Sequence, residues 1–290
     1  MPLLPGIVFP SSPPPTDSLA AGLRLLTEYR MFSTPPGPWP FLAGDDEERT
    51  RSVCEALRDP EVGILIAARG GHGALRLDRD RIRDTLRSHP KPLVGFSDVT
   101  ALHLLWQAAG VPSVSGPNVT QLPELPADHL ARVAALIDTG VVPELDVELI
   151  PHQPARDVEL RGPLAGGNLT VLASVAGTPW CVPLAGRVVI LEEVREAPYR
   201  LDRLLWQLLA ATDLSRAAAI VFGEFTECPR FDLELLLATC RRFAPGVPLF
   251  SGFPAGHGAR NLTFTCGSPA RLDARAGRLG QPAVRVDTRS

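Results

Sequence analysis

What most constrains this 290-residue chain is a set of short, unbroken apolar runs. Val62–Ala68, Leu93–Phe96, Val188–Leu191 and Ala218–Phe222 have no polar side chains alternating with the apolar ones. A strand of that composition must be covered on both faces, as parallel strands are when helices pack above and below the sheet. Helical patterns stand between the runs. One extends from Asp17 to about Arg30, with Leu19, Leu23, Leu25 and Leu26 near one face. Another starts at Asp45 or Asp46 and turns Val53 and Leu57 inward. A third runs from Val99 to Ala109 and closes at Gly110. In the second half, helices are expected over 168–176, 199–211 and 233–243. Gly6–Phe9 and Pro248–Phe250 read as further short strands. This alternation defines an α/β chain with parallel sheets.

Between about Gln121 and Leu160 the periodicity loosens. Pro123, Pro126, Pro143, Pro151 and Pro154 punctuate the stretch, with a short helical pattern at 130–136. The expected organisation is an N-terminal α/β domain over 1–120, a linker over 121–160 and a C-terminal domain over 161–290. Near the end, 262–273 reads as two short strands around a Gly267–Ser268 bend.

Hydrophobic residues make up 45% of the chain and charged residues 21%, so the core can be large without disulfides. The net charge of -3 gives no field that would favour nucleic acid or an anionic membrane as partner. The 5 cysteines include no Cys-x-x-Cys pair, which fits free thiols in a reducing compartment, and with no Cys/His pair at ligand spacing a zinc site is not expected. The first residues lack a positively charged leader and are broken by prolines, and no apolar run is long enough to span a bilayer. A cytoplasmic location follows as the expectation, with no metal and no cofactor.

Four places could carry chemistry. In Leu93–Thr100 a buried strand runs straight into Ser97 and a helix begins at once. Such a turn lifts a hydroxyl above the sheet edge beside unpaired N–H groups, as a nucleophile requires. The same serine could instead simply cap the helix. Ala68-Arg69-Gly70-Gly71-His72-Gly73 follows another buried strand. Its backbone can come close to an anion, or it can be a plain tight turn. It is neither a Walker loop nor a dinucleotide fingerprint. Val188–Glu193 brings two carboxylates to a strand end, where ligands of open α/β sheets sit. Glu193 is expected to be solvated there. His257 lies between two glycines, a setting for an exposed loop or an active site but hardly for a core. Ser97, Glu192 and His257 together make a nucleophile, an orienting carboxylate and a base. His103 fits a helical pattern and reads as structural.

These motifs, in order along nearly the whole chain, resemble the LD-carboxypeptidases. The matching segments include Phe9-Pro10-Ser11-Ser12-Pro13, Leu42–Arg49, Ala68–Gly73, Gly95–His103, Leu164–Leu169, Gly177-Thr178-Pro179, Leu191-Glu192-Glu193, Glu196–Arg203 and Pro254–His257. The resemblance implies an N-terminal flavodoxin-like parallel-sheet lobe and a C-terminal swivelling β/α lobe, usually in a homodimer. It places the family's triad on Ser97, Glu192 and His257. The oxyanion hole would use backbone N–H groups of Asp98, Gly70 and Gly71. His72, Asn168 and Trp180 become candidate substrate contacts, with a core role for Trp180 the competing reading. His72 and Phe96 stand where tyrosine is common, which bears on substrate rather than on the triad. The implied reaction removes terminal D-Ala from the murein tetrapeptide L-Ala-D-Glu-meso-diaminopimelate-D-Ala in peptidoglycan recycling. The rivals are an MccF-like hydrolase of aminoacyl-sulfamoyl nucleotides and a non-catalytic muropeptide-binding protein.

Overall fold

The computed structural model describes residues 2–153 and 159–286, so Pro154 of the expected linker lies outside the described residues. Two compact units divide the chain, one running to Pro143 and regaining the segment from Val284, the other spanning Glu144–Ala283.

The first unit contains β1 (Leu4–Val8), α1 (Thr16–Leu23), β2 (Arg30–Phe32), α2 (Asp46–Arg58), β3 (Val62–Ala67), α3 (Arg79–Ser88), β4 (Leu93–Gly95), α4 (Thr100–Ala109), β5 (Ser113–Ser115), α5 (Ala127–Thr139) and β6 (Val141–Val142). Its strands run parallel in the order β2-β1-β3-β4-β5, the flavodoxin-like order. The expected helix over 17–30 stops at Leu23, and Arg30–Phe32 pairs with β1 instead. Gly22 explains part of this: a Cβ there would lie 2.0 Å from Val119 O, so the helix end is pressed onto other backbone. Asp17 lies in the first turn without capping it, whereas Asp45 caps α2 by accepting from Glu48 N–H at 2.7 Å. The core joins Ile7, Ile64, Ile66, Val94 and Val114 from the strands to Leu136, Val142 and Val286.

The second unit contains β7 (Leu145–Glu148), β8 (Ile150–Gln153), β9 (Glu159–Asn168), α6 (Leu169–Val175), β10 (Val188–Val194), α7 (Pro198–Ala211), β11 (Ala219–Thr226), α8 (Leu233–Phe243), β12 (Leu249–Ser251), β13 (Phe264–Cys266), β14 (Pro269–Asp273) and β15 (Arg278–Gln281). The short strand β16 (Val284–Arg285) returns to pair with β6 in the first unit. An 8-stranded sheet runs β7-β15-β14-β9-β10-β11-β12-β8. Its centre, β9 to β12, is parallel, and antiparallel strands extend it on both sides.

The stretch 121–160 is therefore no free linker. It is divided at Pro143–Glu144, with α5 and β6 in the first unit and β7, β8 and the start of β9 in the second. Two of its prolines sit where they cost no ladder bond: Pro126 precedes the first turn of α5, and Pro151 lies on the edge strand β8. The Gly-rich run 162–167 is a strand that propensity does not reveal. A Cβ on Gly166 would meet Ile190 O at 1.9 Å, so only glycine admits this close pairing with β10. Near the end, β13 and β14 do flank Gly267–Ser268, but the hairpin partner of β14 is β15.

The five cysteines are free. His103 is structural, as expected: its buried Nε2 lies 2.7 Å from Gly95 O. A carbonyl only accepts, so Nε2 carries the proton and Nδ1 is bare, with no partner among the described residues. Burial pushes its pKa down to about 4. In the unfolded chain a histidine binds its proton near 6.5. The stability due to neutral His103 is thus full above about 6.5 and is lost as pH falls towards 4. In urea unfolding, His103→Gln should lose roughly 2 kcal/mol less than the parent between pH 7.5 and pH 5. Equal losses would show that the ring is not held neutral.

Candidate active site

The first sheet reverses its strand order between β1 and β3, and such a switch point leaves a crevice beyond the strands' carboxyl ends. Loops after β1, β3 and β4 leave the sheet there. Ser97 has φ +64°, a left-handed conformation that costs a residue with a Cβ on the order of 1 kcal/mol. It opens a short 3-10 turn, Ser97–Val99, that runs into α4. Phe96 holds the flanking position, without any side-chain cap, so helix capping does not account for this serine. The N–H of Asp98 lies in the first turn, where a helix has no acceptors of its own.

The glycine loop packs on this turn. A Cβ at Gly70 would stand 2.9 Å from Ser97 Cβ and 3.1 Å from its Oγ. Gly71 has φ +109°, which a side chain would strain. The buried Asp98 carboxylate binds the loops together: its Oδ2 accepts from Ser11 Oγ at 2.6 Å and from Ala74 N–H at 2.8 Å. Ser12 adds a second tie, donating its N–H to Gly70 O at 3.3 Å and accepting His72 N–H on Oγ at 3.0 Å. Arg49, fully buried, donates to Gly73 O at 2.9 Å and to Pro10 O, and pairs with Asp46 at 2.6 Å. The exposed His72 ring lies 6.0 Å from that of Phe41.

In the second unit, Glu192 stands opposite Asn168 across the β9–β10 pairing. A register shift against β11 falls between Leu191 and Glu193. The irregularity lets two successive carboxylates both be buried, Glu192 at 4% and Glu193 at 3% exposure. Glu193 therefore departs from the solvated strand end expected of it. Its Oε1 accepts from Asn168 Nδ2 at 2.7 Å and Val194 N–H at 2.9 Å, and its Oε2 accepts from Thr170 N–H at 2.8 Å. Burial raises its pKa, against the pull of these hydrogen bonds.

His257 Nδ1 lies 2.8 Å from Glu192 Oε2. A carboxylate accepts, so Nδ1 carries the proton and Nε2 is the basic nitrogen. The loop bearing His257 is laid on β11, where Glu224 N–H donates to Ala255 O at 2.9 Å. Gly223 makes room for it, since a Cβ there would lie 2.7 Å from Ala255 O. Arg260 pairs with Glu224 at 3.1 Å and holds the far side of the loop. Burial pulls the His257 pKa down. The hydrogen bond and charge of Glu192, aided by Glu193, outweigh it and leave the imidazole more basic than usual.

Of the expected substrate contacts, Asn168 is buried and engaged with Glu193 and, through Oδ1, with Val171 N–H at 3.1 Å. Trp180 is half-buried and not a core residue. Sequence reasoning missed the side chains of Ser11, Arg49, Asp98, Glu193 and Glu224. Asp98 was singled out for its N–H alone, although a carboxylate beside the key serine was itself a signal. Among the described residues no group of three or more His, Cys, Asp or Glu side chains is placed to hold a metal ion. No helix among them is long and apolar enough to cross a membrane.

A strained serine at a strand-to-helix turn, and a basic imidazole oriented by a buried carboxylate, are the parts a serine hydrolase uses. The chain matches the LD-carboxypeptidase N-terminal domain over residues 6–116 and the LD-carboxypeptidase C-terminal domain over residues 161–272. It is 34% identical to the murein tetrapeptide carboxypeptidase of Pseudomonas aeruginosa, covering 92% of each chain. It is 30% identical to the probable murein peptide carboxypeptidase of Bacillus subtilis, over 92% of this chain and 88% of that one. Among solved structures, muramoyltetrapeptide carboxypeptidase from Oxalobacter formigenes superposes with a TM-score of 0.82 at 32% identity, over 95% of this chain and 97% of the other. MccF bound to glutamyl sulfamoyl guanosine reaches 0.80 at 16% identity over 98% and 97%, a likeness of fold alone. The chain belongs to the LD-carboxypeptidase family and is a serine-type carboxypeptidase.

Two outcomes follow from this geometry. By NMR titration, His257 should take up its proton above the ordinary 6.5, and Glu192→Gln should lower that midpoint. A midpoint unmoved by Glu192→Gln would remove the carboxylate from its role. Gly70→Ala, by pushing a methyl group onto Ser97, should cut turnover on the order of a hundredfold with little change in Tm. Unchanged turnover would mean that the close approach serves packing only.

Proposed function

We propose that Ser97, His257 and Glu192 act as one catalytic triad that releases the terminal D-Ala of a murein tetrapeptide. The observation that carries this is the buried His257–Glu192 pair at 2.8 Å, which leaves Nε2 as a base of raised pKa. His257 Nε2 takes the Ser97 proton as Oγ attacks the carbonyl carbon between the L-centre of diaminopimelate and D-Ala. Glu192 keeps the tautomer and stabilises the imidazolium. Backbone N–H groups of Asp98 and of the Gly70–Gly71 turn receive the oxyanion. The imidazolium then gives its proton to the leaving amine of D-Ala. Water, deprotonated by the same imidazole, releases the tripeptide and regenerates Ser97.

The substrate rests on relatives named as carboxypeptidases of murein tetrapeptide and muramoyltetrapeptide, at 34% and 32% identity. The wider setting we propose is peptidoglycan recycling in the cytoplasm by a homodimer, with no nucleic-acid or membrane partner. The leading net charge of -3 and the lack of Cys-x-x-Cys pairs accord with that setting. Action on aminoacyl-sulfamoyl nucleotides has only the MccF fold behind it.

Incubation with L-Ala-D-Glu-meso-diaminopimelate-D-Ala should release free D-Ala. Ser97→Ala and His257→Ala should each lower the rate by at least about a thousandfold. Tetrapeptide that binds the parent and Ser97→Ala equally but is cleaved by neither would make the protein a muropeptide carrier instead. The acid limb of kcat/KM should lie above pH 6.5, because the base must be neutral to act. Glu192→Gln should shift that limb to lower pH.

A further inference from the structure

Strands β10 and β11 end side by side, and each passes into a residue with a left-handed backbone, Arg195 at φ +58° and Glu227 at φ +53°. The two side chains meet there, Arg195 Nε donating to Glu227 Oε2 at 2.6 Å. Both are well exposed, at 74% and 58%. An ion pair in that much water stabilises little, less than two left-handed residues bearing side chains cost. The pair therefore does not account for the strain, and strain of this kind gathers where a site is held in shape. The guanidinium also has donors to spare. Its Nε is occupied, but neither Nη1 nor Nη2 has a partner among the described residues. Glu227 thus holds Arg195 from the side and leaves open the flat fork that matches a carboxylate with two parallel hydrogen bonds.

This fork stands at the histidine's end of the sheet. Glu192, which holds His257 Nδ1 at 2.8 Å, lies on β10 just before Arg195. Arg195 N–H donates to Thr226 O at 3.0 Å. Gly258, next to His257, packs on the same Thr226, since a Cβ on it would lie 3.6 Å from Thr226 Oγ1. The charges interact accordingly. After burial, Glu192 and Glu193, Arg195 is the next group that acts on the imidazole, and it disfavours the protonated ring. Arg195 holds the Glu227 carboxyl below its usual range, and His257 adds to that pull. A cation whose charge reaches the base opposes the imidazolium that must form, unless an anion arrives with the substrate.

The substrate of a carboxypeptidase brings one. The amine that leaves belongs to the terminal residue, and the carboxylate carbon of that residue lies two bonds on, about 2.5 Å from the nitrogen. Where His257 Nε2 meets the amine, the carboxylate is delivered beside the imidazole. We propose that Arg195, oriented by Glu227, anchors the terminal carboxylate of the substrate and so restricts cleavage to a free C-terminus. Glu227 is a positioning residue that acts through the guanidinium. This rests on the reading above, in which His257 protonates the leaving amine, and adds to it the pair that selects the chain end.

Two peptides test this, the murein tetrapeptide ending in D-Ala and the same peptide ending in D-Ala amide, with release of tripeptide followed for both. The parent should prefer the free acid in kcat/KM by roughly tenfold to a hundredfold, the worth of hydrogen bonds to a charged group. Arg195→Gly should bring that ratio near one, chiefly through KM for the acid. Glycine suits the left-handed backbone, so Tm should not fall. Arg195→Lys should keep part of the preference, and Glu227→Ala should lose part of it. A parent ratio near one, a ratio that survives Arg195→Gly, or an equal loss on both peptides would overturn the anchor. A ratio unmoved by Glu227→Ala would overturn the orienting role given to that carboxylate. Failure of the parent to cleave either peptide would instead overturn the murein-tetrapeptide reading, and the anchor with it.

Discussion

A carboxylate taken out of water must find compensating partners, or it takes up a proton instead. Glu192 has His257 Nδ1 as its partner, at 2.8 Å from Oε2, and its other oxygen has none among the described residues. Much of the second unit's sheet edge is arranged to keep that bond. The register shift in β10 buries Glu192, Gly223 lets the histidine loop lie on β11, and Glu224 grips the loop through Arg260. Glu193 is a second buried acid, satisfied by Asn168 and the start of α6. Its charge adds to the basicity of the imidazole without touching it. Two adjacent acids are thus held apart in role by their surroundings: one is fully bonded to backbone and amide, the other is reserved for the ring.

In the first unit a different means gives a comparable precision. Ser97 is held in a left-handed conformation by what surrounds it. Gly70 fits against it because it has no side chain, and Asp98, Ser12 and Arg49 hold the loops around it in register. Asp98 works in two ways. Its carboxylate fastens the glycine loop, which leaves its N–H in the helix's first turn as a donor. The strain at Ser97 is of the kind stored where geometry has been over-determined for function.

The buried strands were legible because parallel strands covered on both faces leave apolar runs. Val62–Ala67 and Val188–Val194 stand within a few residues of where the composition puts them. The local settings of Ser97, Glu192 and His257 were legible because each follows such a run or sits between glycines; their joint role in catalysis is the proposal made above. The strand Glu159–Asn168 was not, since Gly166 and Gly167 lower strand propensity while close contact with Ile190 demands glycine at 166. Glu193 was misread because a strand end looks solvated in sequence, and only the helix start at Thr170 shows that it is not. The helix expected through Arg30 stops at Leu23, beside a close approach of Gly22 to the backbone of Val119 that has no local signature. The buried Arg49 was invisible for a related reason. An arginine on a polar helix pattern reads as surface until the carbonyls it serves, Pro10 and Gly73, are brought to it.

The central claim is that three side chains work as one nucleophilic unit, and a mechanism-based label tests it without any assumption about substrate. Diisopropyl fluorophosphate transfers its phosphoryl group to an activated serine and expels fluoride. Intact-mass and peptide mapping after exposure should find one adduct, on Ser97. The rate of labelling should fall on the order of a thousandfold in His257→Ala and also fall in Glu192→Gln. Labelling that proceeds as fast without the imidazole, or that lands on another residue, would contradict the account.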